Sequence, residues 1–508
     1  MATLTKVASL LTDITEPGGT LDFTGLSDLI IYQEAGTTYL LTAAETTGRI
    51  QSLSLSASAA PVLEDYLNYT ATSGTHTVGA LNFFTISGQS YILPSGRYDD
   101  HGTLISVTGG SLATPSEVSG NASDYAYFTQ SLTVNFNEND FVIAAHRNEP
   151  GLTIYDLEVD LTMDVELTQS DTANLALMDI SAMTKVANGN SAFIYTASGI
   201  DDGIDIFALG RFGAFSHIDT IRPWDVSGFD AIQDMLTIEI AGQNFLFAAA
   251  AGTSSITSFL VHQSGNLFET DHVIDDLTTR YAGVSDIAHV RDGWRDFIVA
   301  GGSDDGITVF EIFPNGMMDV VATLADDFDT TLQNVSAVEA AVIDGKIIVF
   351  AGSNTEHGIT QLEFTPDPFV NRYIASDVQP PNDEFNVTIG SNQNDQLFGQ
   401  QLSDHIKGGK GDDIIDGGAS RDWLRGGPGA DRFIFGEDGS ADQIDDYEHG
   451  IDIIDLSQYS LVNDMSDITL ESRRWGGIIH VNGEMIILKT HDLERIEIHE
   501  WTEDHFIF

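Results

Sequence analysis

The sequence predicts an all-β protein in which a seven-bladed β-propeller is followed by a parallel β-roll. A strand–hairpin–strand unit recurs seven times before residue 370, five consecutive nonapeptides start at Gly390, and the first region shows no sustained helical period. We therefore assign residues 1–370 to the propeller, 371–389 to a linker, 390–434 to the nonapeptide β-roll, and 435–508 to a C-terminal segment that caps the roll.

The repeated unit consists of a short apolar strand, a hairpin rich in alanine or glycine, and a second strand. Examples are DFVIAAHRNEPGLTIYDL from Asp140 and DFIVAGGSDDGITVFEIF from Asp296, and successive units start about 50 to 52 residues apart. A further strand flanks each unit on either side, and four short strands joined by Gly and Asp turns are typical of a propeller blade. A six-bladed ring and a β-solenoid remain alternatives for this repeat.

The two ends of the repeat region predict how the ring closes. The seventh unit has no clear fourth strand, whereas the N-terminal segment TLTKVASLLTD from Thr3 resembles DVVATLADD, the fourth strand of unit six. We expect the first strand of the chain to complete the last blade, because this removes an exposed sheet edge.

The hairpins between the second and third strands should emerge on one face of the ring, and they carry many acidic and histidine side chains. One interpretation is a rim that binds cations or a partner; the other is turn chemistry, since Asp-Asp-Gly and Glu-His-Gly suit tight turns with a left-handed glycine. The side chains are Glu45, Asp99, Asp100, His101, His146, Glu149, Asp201, Asp202, Asp304, Asp305, Glu356 and His357.

The nonapeptides read GSNQNDQLF, GQQLSDHIK, GGKGDDIID, GGASRDWLR and GGPGADRFI. Their sixth position is always aspartate: Asp395, Asp404, Asp413, Asp422 and Asp431. Their eighth position is always apolar: Leu397, Ile406, Ile415, Leu424 and Phe433. This pattern resembles the RTX, or haemolysin-type, repeat G-G-x-G-x-D-x-U-x, in which U is a large apolar residue.

The resemblance implies that Ca²⁺ is bound where two repeats form one coil, so that turns two repeats apart stack. Asp395 would then pair with Asp413 and Asp413 with Asp431, while Asp404 pairs with Asp422 and Asp422 with the Asp438/Asp442 region. Backbone carbonyls and carboxylates supply the hard oxygen ligands that calcium prefers. The expected ligands are these repeat aspartates, Asp442, and the turn glycines Gly408, Gly409, Gly411, Gly417, Gly426, Gly427 and Gly429. The first two repeats keep only the leading glycine, so we expect weaker sites there.

Charge supports a cation as partner and argues against others. The chain has 77 acidic and 21 basic residues, a formal net charge of −56, which disfavours nucleic acid and anionic membranes. Residues 390–455 contain 15 acidic and 5 basic side chains. Their mutual repulsion should oppose compaction until calcium neutralises it, so we expect calcium-dependent folding.

The C-terminal segment resembles the flank that follows RTX repeats in the serralysin group, and it ends in EDHFIF like a type I secretion signal. The chain has no cysteine, no apolar signal-peptide core at its N-terminus, and no run near the roughly 18 to 20 apolar residues of a membrane span. We therefore expect an extracellular protein exported by type I secretion machinery.

No local motif predicts an enzyme. H-E-x-x-H is absent, the nearest match being HEWTEDH from His499, so a serralysin-type zinc protease is rejected. No G-x-S-x-G elbow, phosphate-binding loop or dinucleotide fingerprint occurs. We expect the propeller to bind a glycan or an extracellular protein. The alternative is a lactonase or a polysaccharide lyase or hydrolase whose catalytic residues come from several blades and cannot be identified from sequence.

Overall fold

The computed structural model describes residues 2–11, 21–69, 78–96, 102–118, 127–136, 139–147, 150–188, 191–210, 213–240, 242–293, 295–313, 316–366, 371–374 and 386–508. These ranges contain no α-helix; their helical segments are the short 3-10 turns Pro223–Asp225, Ile498–Glu500 and Glu503–His505. The chain divides into two compact units, residues 1–366 and 367–508. No helix in the described ranges is long and apolar enough to cross a membrane.

The first unit starts with strand β1 (Thr3–Leu11) and continues with blades of consecutive antiparallel strands. Blade one contains β2 (Leu26–Glu34), β3 (Thr37–Ala44), β4 (Arg49–Ser56) and β5 (Ala59–Asn68). Blade two contains β6 (Ala80–Ile86), β7 (Gln89–Ser95), β8 (Thr103–Thr108) and the short strands β9 (Ser111–Leu112) and β10 (Ser116–Glu117). Blade three contains β11 (Phe128–Phe136), β12 (Asn139–His146), β13 (Gly151–Leu157) and β14 (Met163–Ser170).

The remaining blades repeat this order. Blade four contains β15 (Ile180–Asn188), β16 (Ser191–Ser198), β17 (Gly203–Leu209) and β18 (Phe215–Ile221). Blade five contains β19 (Ile232–Ile240), β20 (Gln243–Ala250), β21 (Ser255–Val261) and β22 (Leu267–Ile274). Blade six contains β23 (Asp286–Asp292), β24 (Arg295–Gly301), β25 (Gly306–Ile312) and β26 (Met318–Ala325). Blade seven contains β27 (Val335–Ile343), β28 (Lys346–Ser353) and β29 (Gly358–Thr365).

The ring is closed at blade seven, where β1 pairs antiparallel with β29 from Thr3↔Thr365 to Leu11↔Gly358. The first strand of each blade contacts the first strand of the next in an unbroken circuit, including β27 with β2. These first strands therefore surround the central channel. The circuit confirms the seven-bladed propeller and excludes the six-bladed ring and the solenoid for this unit.

Neighbouring blades are held together by apolar packing and by a repeated serine hydrogen bond. Val299 and Val309 of blade six, for example, belong to the same buried cluster as Val338 and Val349 of blade seven. On the first strand or just before it, serine hydroxyls donate to a backbone carbonyl of the next blade. These bonds are Ser27 Oγ to Val78 O (2.6 Å), Ser285 Oγ to Val335 O (2.6 Å) and, across the ring closure, Ser336 Oγ to Leu26 O (2.7 Å).

The second unit is a roll of two mainly parallel sheets. The first contains β30 (Asn371–Ile374), β32 (Asp395–Phe398), β34 (Ile414–Asp416), β36 (Arg432–Gly436), β38 (Ile453–Gln458) and β42 (Phe506–Ile507). The second contains β31 (Asn386–Ile389), β33 (Asp404–Lys407), β35 (Trp423–Arg425), β37 (Ala441–Tyr447), β41 (Glu484–Thr490), β40 (Gly476–Val481) and β39 (Thr469–Arg473). The prediction of a parallel β-roll after the propeller is confirmed.

The spacing of the repeats explains the register of the roll. Repeats two apart lie side by side, so Leu397 pairs with Ile415 in the first sheet and Ile406 with Leu424 in the second. The eighth-position side chains are all buried in one core that continues to Trp501 and Phe506 near the C-terminus. The roll extends beyond the repeats in both directions, because β30 and β31, in the segment expected as a linker, pair in register with β32 and β33.

Candidate metal centre

In each repeat the aspartate lies where the turn ends and the strand begins. Asp395 and Asp404 are the first residues of β32 and β33, and Asp413, Asp422 and Asp431 directly precede β34, β35 and β36. All five side chains are buried, as is Asp442 on β37. Because odd and even repeats alternate between the two sheets, the aspartates form one row along each edge of the roll.

Backbone-to-carboxylate hydrogen bonds connect each row. On the first edge, Asp395 N donates to Asp413 Oδ1 (2.9 Å), and Asp413 N donates to Asp431 Oδ1 (2.8 Å). On the second edge, Asp404 N donates to Asp422 Oδ1 (2.7 Å), and Asp422 N donates to Asp442 Oδ1 (2.9 Å). The structure thus brings together the pairs that a coil of two repeats predicts.

Among the described residues, one carboxylate oxygen in each of the later repeats faces no hydrogen-bond donor. The Oδ2 atoms of Asp413, Asp422 and Asp431 are buried and have no hydrogen-bond partner within the described ranges. In the first coil, turn amides of Ser391 and Gln400 donate to the Oδ2 atoms of Asp395 and Asp404, so Asp395 is the aspartate that differs most from the later ones. A buried acceptor without a donor calls for an explanation, and a role as a cation ligand is one.

The leading glycines form the cradle that faces these oxygens. A Cβ atom added to Gly408, Gly417 or Gly426 would collide with the Oδ2 atom of its own repeat's aspartate. At Gly408 the same Cβ would also meet the carbonyl oxygen of Gly426, from the repeat two further on. A carboxylate oxygen and a backbone carbonyl oxygen therefore converge at one turn, which is the oxygen-only chemistry that suits Ca²⁺.

The glycines at positions two and four make the turn itself possible. Gly409, Gly411, Gly427 and Gly429 have φ values of 127°, 112°, 99° and 153°, which side chains other than glycine rarely adopt. In the fourth repeat Ser420 takes this place with a φ of 76°. In the same repeat, Gly417 is the glycine whose Cβ would collide with Asp422. All seven predicted glycines thus lie in the turns.

Electrostatics favour a cation at the later turns. Burial and, to a smaller extent, nearby carboxylates raise the pKa of Asp413 to about 8 and that of Asp422 to about 9. Burial likewise raises the pKa of Asp431 and Asp442 to about 7. Without a cation these groups hold protons near neutral pH, so a cation that takes their place should release protons on binding.

Backbone carbonyls must contribute to any such site. Across the described part of the chain, no three or more His, Cys, Asp or Glu side chains cluster closely enough to hold a metal by themselves. The residues present fit a calcium ion bound by one or two carboxylates together with carbonyls of the glycine turns.

Two aspartates beyond the repeats extend the ladders, and the sequence analysis missed both. Asp431 N donates to Asp452 Oδ1 (3.1 Å), which continues the first edge. Asp446 accepts from Gly426 N (3.0 Å) and Gly427 N (3.1 Å) and so closes the last turn of that edge. Asp452 follows Asp431 by 21 residues instead of 18, but the triplet Asp452-Ile453-Ile454 still has the D-x-U form and was the available signal.

The acidic rim of the propeller takes part in turn structure. Asp201 accepts a hydrogen bond from Met178 N (3.0 Å), and Asp202 accepts one from Ala231 N (3.2 Å). Each bond joins the hairpin to a neighbouring connection between blades. Asn334 N donates to Asp305 (3.2 Å) and Gln333 N to Glu356 (3.2 Å) in the same way. Asp304 pairs with Arg280, His146 lies 3.3 Å from the Tyr155 hydroxyl, and Glu45 is exposed. Asp99, Asp100, His101 and Glu149 lie outside the described residues.

The left-handed residue of these turns differs from the expectation. The left-handed conformation is adopted by Asp202, Asp305 and His357, whose φ values are 45°, 47° and 53°. The glycine that follows each of them does not adopt it. Glycine is required there for space: a Cβ on Gly306 would collide with the backbone carbonyl of Leu324.

A second group of carboxylates lines the propeller channel and was also missed. Asp28, Asp234 and Asp286 occupy equivalent positions on the first strands of blades one, five and six, and Glu339 lies on that of blade seven. Each accepts a backbone N–H of the next blade: Leu81 (2.6 Å), Ile287 (3.2 Å), Val338 (2.7 Å) and Ile31 (3.3 Å) respectively.

Burial raises the pKa of Asp28 to about 7 and that of Glu339 to about 8. Burial and the charge of Asp234 together raise the pKa of Asp286 well above its usual range. The sequence signal for this group was weak. An aspartate recurs at the same position of the repeated unit in three of the seven blades, as Asp28, Asp234 and Asp286.

Comparisons with known proteins agree with this geometry. A family model for the RTX calcium-binding nonapeptide repeat (4 copies) matches residues 389–424 and 398–433. No curated protein matches the chain. Among solved structures, Pseudomonas aeruginosa periplasmic gluconolactonase is similar at 14% identity, covering 59% of this chain and 86% of that one, with a TM-score of 0.46.

A putative 6-phosphogluconolactonase from Bacteroides fragilis is similar at 12% identity, covering 61% of this chain and 85% of that one, with a TM-score of 0.44. The Dos1 propeller shares 12% identity over 66% of this chain and 78% of its own, with a TM-score of 0.43. These identities are too low to transfer any activity to this chain. The matched repeats and the two aspartate ladders identify residues 389–433 as RTX calcium-binding nonapeptide repeats, in a chain whose other unit is a seven-bladed β-propeller.

Proposed function

We propose that this protein is secreted, that its β-roll folds around Ca²⁺ outside the cell, and that its propeller binds an extracellular ligand. The observation that carries the proposal is the set of buried, unpartnered Oδ2 atoms of Asp413, Asp422 and Asp431 at glycine turns. A cation would give each of them a partner and offset the repulsion along both aspartate rows.

Folding and calcium binding are coupled in this proposal. Residues 390–455 carry 15 acidic and 5 basic side chains, so the roll is under electrostatic stress when no cation is bound. The free energy of calcium binding then becomes free energy of folding. A chain that stays loosely folded at low calcium and compacts at high calcium suits export through a narrow channel.

Calorimetric titration of the full-length protein with CaCl₂ after chelation tests the proposal. We expect saturable calcium uptake, release of protons into the buffer, and a gain of β-structure by circular dichroism. Mg²⁺ is the matched control, because it is smaller and demands strict octahedral geometry, so its effect should be much weaker. The absence of calcium uptake, or equal effects of both ions, would refute the proposal.

Export is tested by fusing residues 386–508 to a reporter enzyme in cells that possess a type I secretion system. We expect the reporter in the medium only when the transporter is present. A fusion to residues 2–366 is the control and should stay inside the cells. Retention of both fusions would contradict the proposed route and leave the calcium proposal intact.

An enzymatic propeller is the second candidate, and the channel carboxylates are the observation that favours it. Carboxyl groups with pKa values of about 7 to 8, such as Asp28 and Glu339, can act as general acids near neutral pH. Their hydrogen bonds to neighbouring blades also give them a structural role. A screen with lactones and polysaccharides, repeated on Glu339→Gln, separates the two: turnover lost in the variant supports an enzyme, and glycan binding without turnover supports a binding module.

A further inference from the structure

The connections between blades display large apolar side chains on one face of the ring. Four of these connections are described in full, over residues 171–179, 222–231, 275–285 and 326–334. At the equivalent position of each stands Ala173, Trp224, Leu277 or Phe328. Trp224, Leu277 and Phe328, here called the apolar tips, have exposed fractions of 79%, 94% and 110%. Each tip therefore projects fully into solvent.

The tip at Leu277 is held out by a built turn. Asp276 N donates to Thr279 Oγ1 (2.8 Å), and Thr279 Oγ1 donates to Asp275 Oδ1 (2.8 Å). Tyr281 N also donates to Asp275 Oδ1 (3.0 Å), which anchors the turn to the backbone of a residue whose side chain is buried. The exposure of Leu277 is thus fixed by the fold.

The tip at Phe328 is held by the same bonds in the next connection. Asp327 N donates to Thr330 Oγ1 (2.9 Å), and Thr330 Oγ1 donates to Asp326 Oδ1 (2.9 Å). Leu332 N completes the pattern with a bond to Asp326 Oδ1 (2.9 Å). Two successive blades therefore present a different apolar residue on an identical scaffold.

Trp224 is presented differently, on the 3-10 turn Pro223–Asp225, which Arg222 N closes with a bond to Asp225 Oδ2 (2.9 Å). Single exposed apolar residues are ordinary and need no explanation. Three in register on consecutive connections are different, because an apolar residue at a turn tip gains no burial within its own fold. Ala173, at the fourth equivalent position, shows that the turn does not require a large side chain.

Carboxylates surround the tips. Asp225 follows Trp224, Asp276 precedes Leu277, and Asp327 and Asp329 flank Phe328. Hydrogen bonds from Thr278 lower the pKa of Asp276, and a bond from Asp329 N lowers that of Asp327, so both stay ionised. The nearby cations already have partners: Arg222 donates to Asp201 O in a hairpin of blade four (2.8 Å), Arg280 donates to Thr279 O (2.8 Å) and pairs with Asp304, and Lys6 donates to Asp329 O.

We propose that the apolar tips and their flanking aspartates form a docking surface for a cationic polypeptide that carries apolar side chains; this inference rests on the proposed binding role of the propeller. Charge complementarity selects this partner. A second copy of the chain has the same net charge of −56 and is repelled, as is an anionic membrane. A sugar ring could stack on Trp224 and Phe328 but not on Leu277, so the three tips together suit apolar side chains better.

The test compares the full-length protein with the triple variant Trp224→Ser, Leu277→Ser, Phe328→Ser. The control variant is Val62→Ser, Val159→Ser, Phe268→Ser, which removes three exposed apolar side chains from other places on the propeller. The probes are an amphipathic peptide of lysine and leucine and a peptide of equal charge built from lysine and serine. Binding is measured by biolayer interferometry and by tryptophan fluorescence; because the chain has five tryptophans, the signal of Trp224 is the part that the triple variant lacks.

We expect the unaltered protein to bind the lysine–leucine peptide at least tenfold more tightly than the lysine–serine peptide, with a blue shift of Trp224. The triple variant should lose this preference, and the control variant should keep it. Equal preference in all three proteins overturns the inference, as does tip-dependent binding to phosphatidylcholine vesicles or oligosaccharides without peptide binding. Calcium titration of the same variants reports on the proposed calcium function separately, because no tip lies in the roll.

Discussion

Five aspartates share one position in the repeat, but their second carboxylate oxygens have different surroundings. In Asp395 a turn amide of its own repeat donates to Oδ2, whereas in Asp413, Asp422 and Asp431 Oδ2 is buried without a donor. Leaving a buried acceptor unpaired costs about 1–3 kcal/mol, more for a charged group. The turns of Asp413, Asp422 and Asp431 therefore depend on a cation more strongly than the turn of Asp395 does.

Substitution of single aspartates tests this difference. Asp422→Asn removes the charge at an unpartnered oxygen, so we expect calcium affinity to fall at least about tenfold, or ~1.4 kcal/mol. The same variant should be more stable than the unaltered protein after chelation, because no carboxyl group has to be buried. Asp395→Asn is the matched control and should change affinity less. The two variants are compared by calorimetric titration, and a larger loss in Asp395→Asn would contradict the assignment.

The channel carboxylates predict how the propeller responds to pH. Burial raises the pKa of Asp28 to about 7 and of Glu339 to about 8, whereas the unfolded chain has values near 4. The folded propeller thus keeps protons that the unfolded chain releases, so its free energy of unfolding falls as pH rises from about 4 through about 8. Thermal unfolding should show a lower Tm at about pH 9 than at about pH 6.

Glu339→Gln should flatten part of this decline, because the amide has no proton to lose yet can still accept from Ile31 N. Glu363→Gln is the control, since Glu363 forms an exposed pair with Lys346 and should leave the pH profile unchanged. A Tm that rises between about pH 6 and about pH 9 would rule out this account of the channel.

Turns of the β-roll depend on glycine for two separate reasons, space and backbone conformation. Gly427 needs both, because its φ is 99° and a Cβ there would collide with the carbonyl oxygen of Gly409. Gly439 needs only the conformation, with a φ of 82° and nothing within 4 Å of a Cβ. This pair separates the role of stacking from that of left-handed geometry.

We expect Gly439→Ala to destabilise the calcium-bound roll by about 1–2 kcal/mol. Gly427→Ala should cost more and should also weaken calcium binding, because the stacked carbonyl has to move away from the turn. Chemical unfolding at saturating calcium measures the first effect, and calcium titration measures the second. Equal losses in both variants would show that stacking between repeats is unimportant.

Strand β1 connects the two ends of the propeller sequence. It pairs along its length with β29, and partly buried Leu4 packs on the core between blades six and seven. Deleting residues 2–11 should lower the Tm of the propeller by at least roughly 10 °C and promote aggregation through the exposed edge of β29. Leu11→Ser, at the exposed end of the strand, is the control. A deletion variant as stable as the full chain would show that the closure contributes nothing.

Features that repeat at a constant period could be predicted from the sequence, and features that depend on a break in the period could not. The blades and the pairing of Asp413 with Asp431 along one edge of the roll follow from spacings of about 52 and 18 residues. Asp452 was missed because insertions after Phe433 lengthen the last spacing to 21. Asp28 and Asp286 were missed because each channel residue is local to one blade and only the closed ring makes them neighbours.

We expect the two units of the molecule to fold independently of each other. Both units have apolar cores, but only the roll also stacks rows of buried aspartates at its turns, so calcium should stabilise only the roll. We expect differential scanning calorimetry to show two transitions, with chelation moving the roll transition downwards and leaving the propeller transition in place. Limited proteolysis after chelation should remove residues beyond 366 and leave the propeller intact. If chelation shifted both transitions equally, calcium would also have to bind the propeller, and the channel carboxylates would be the first place to look.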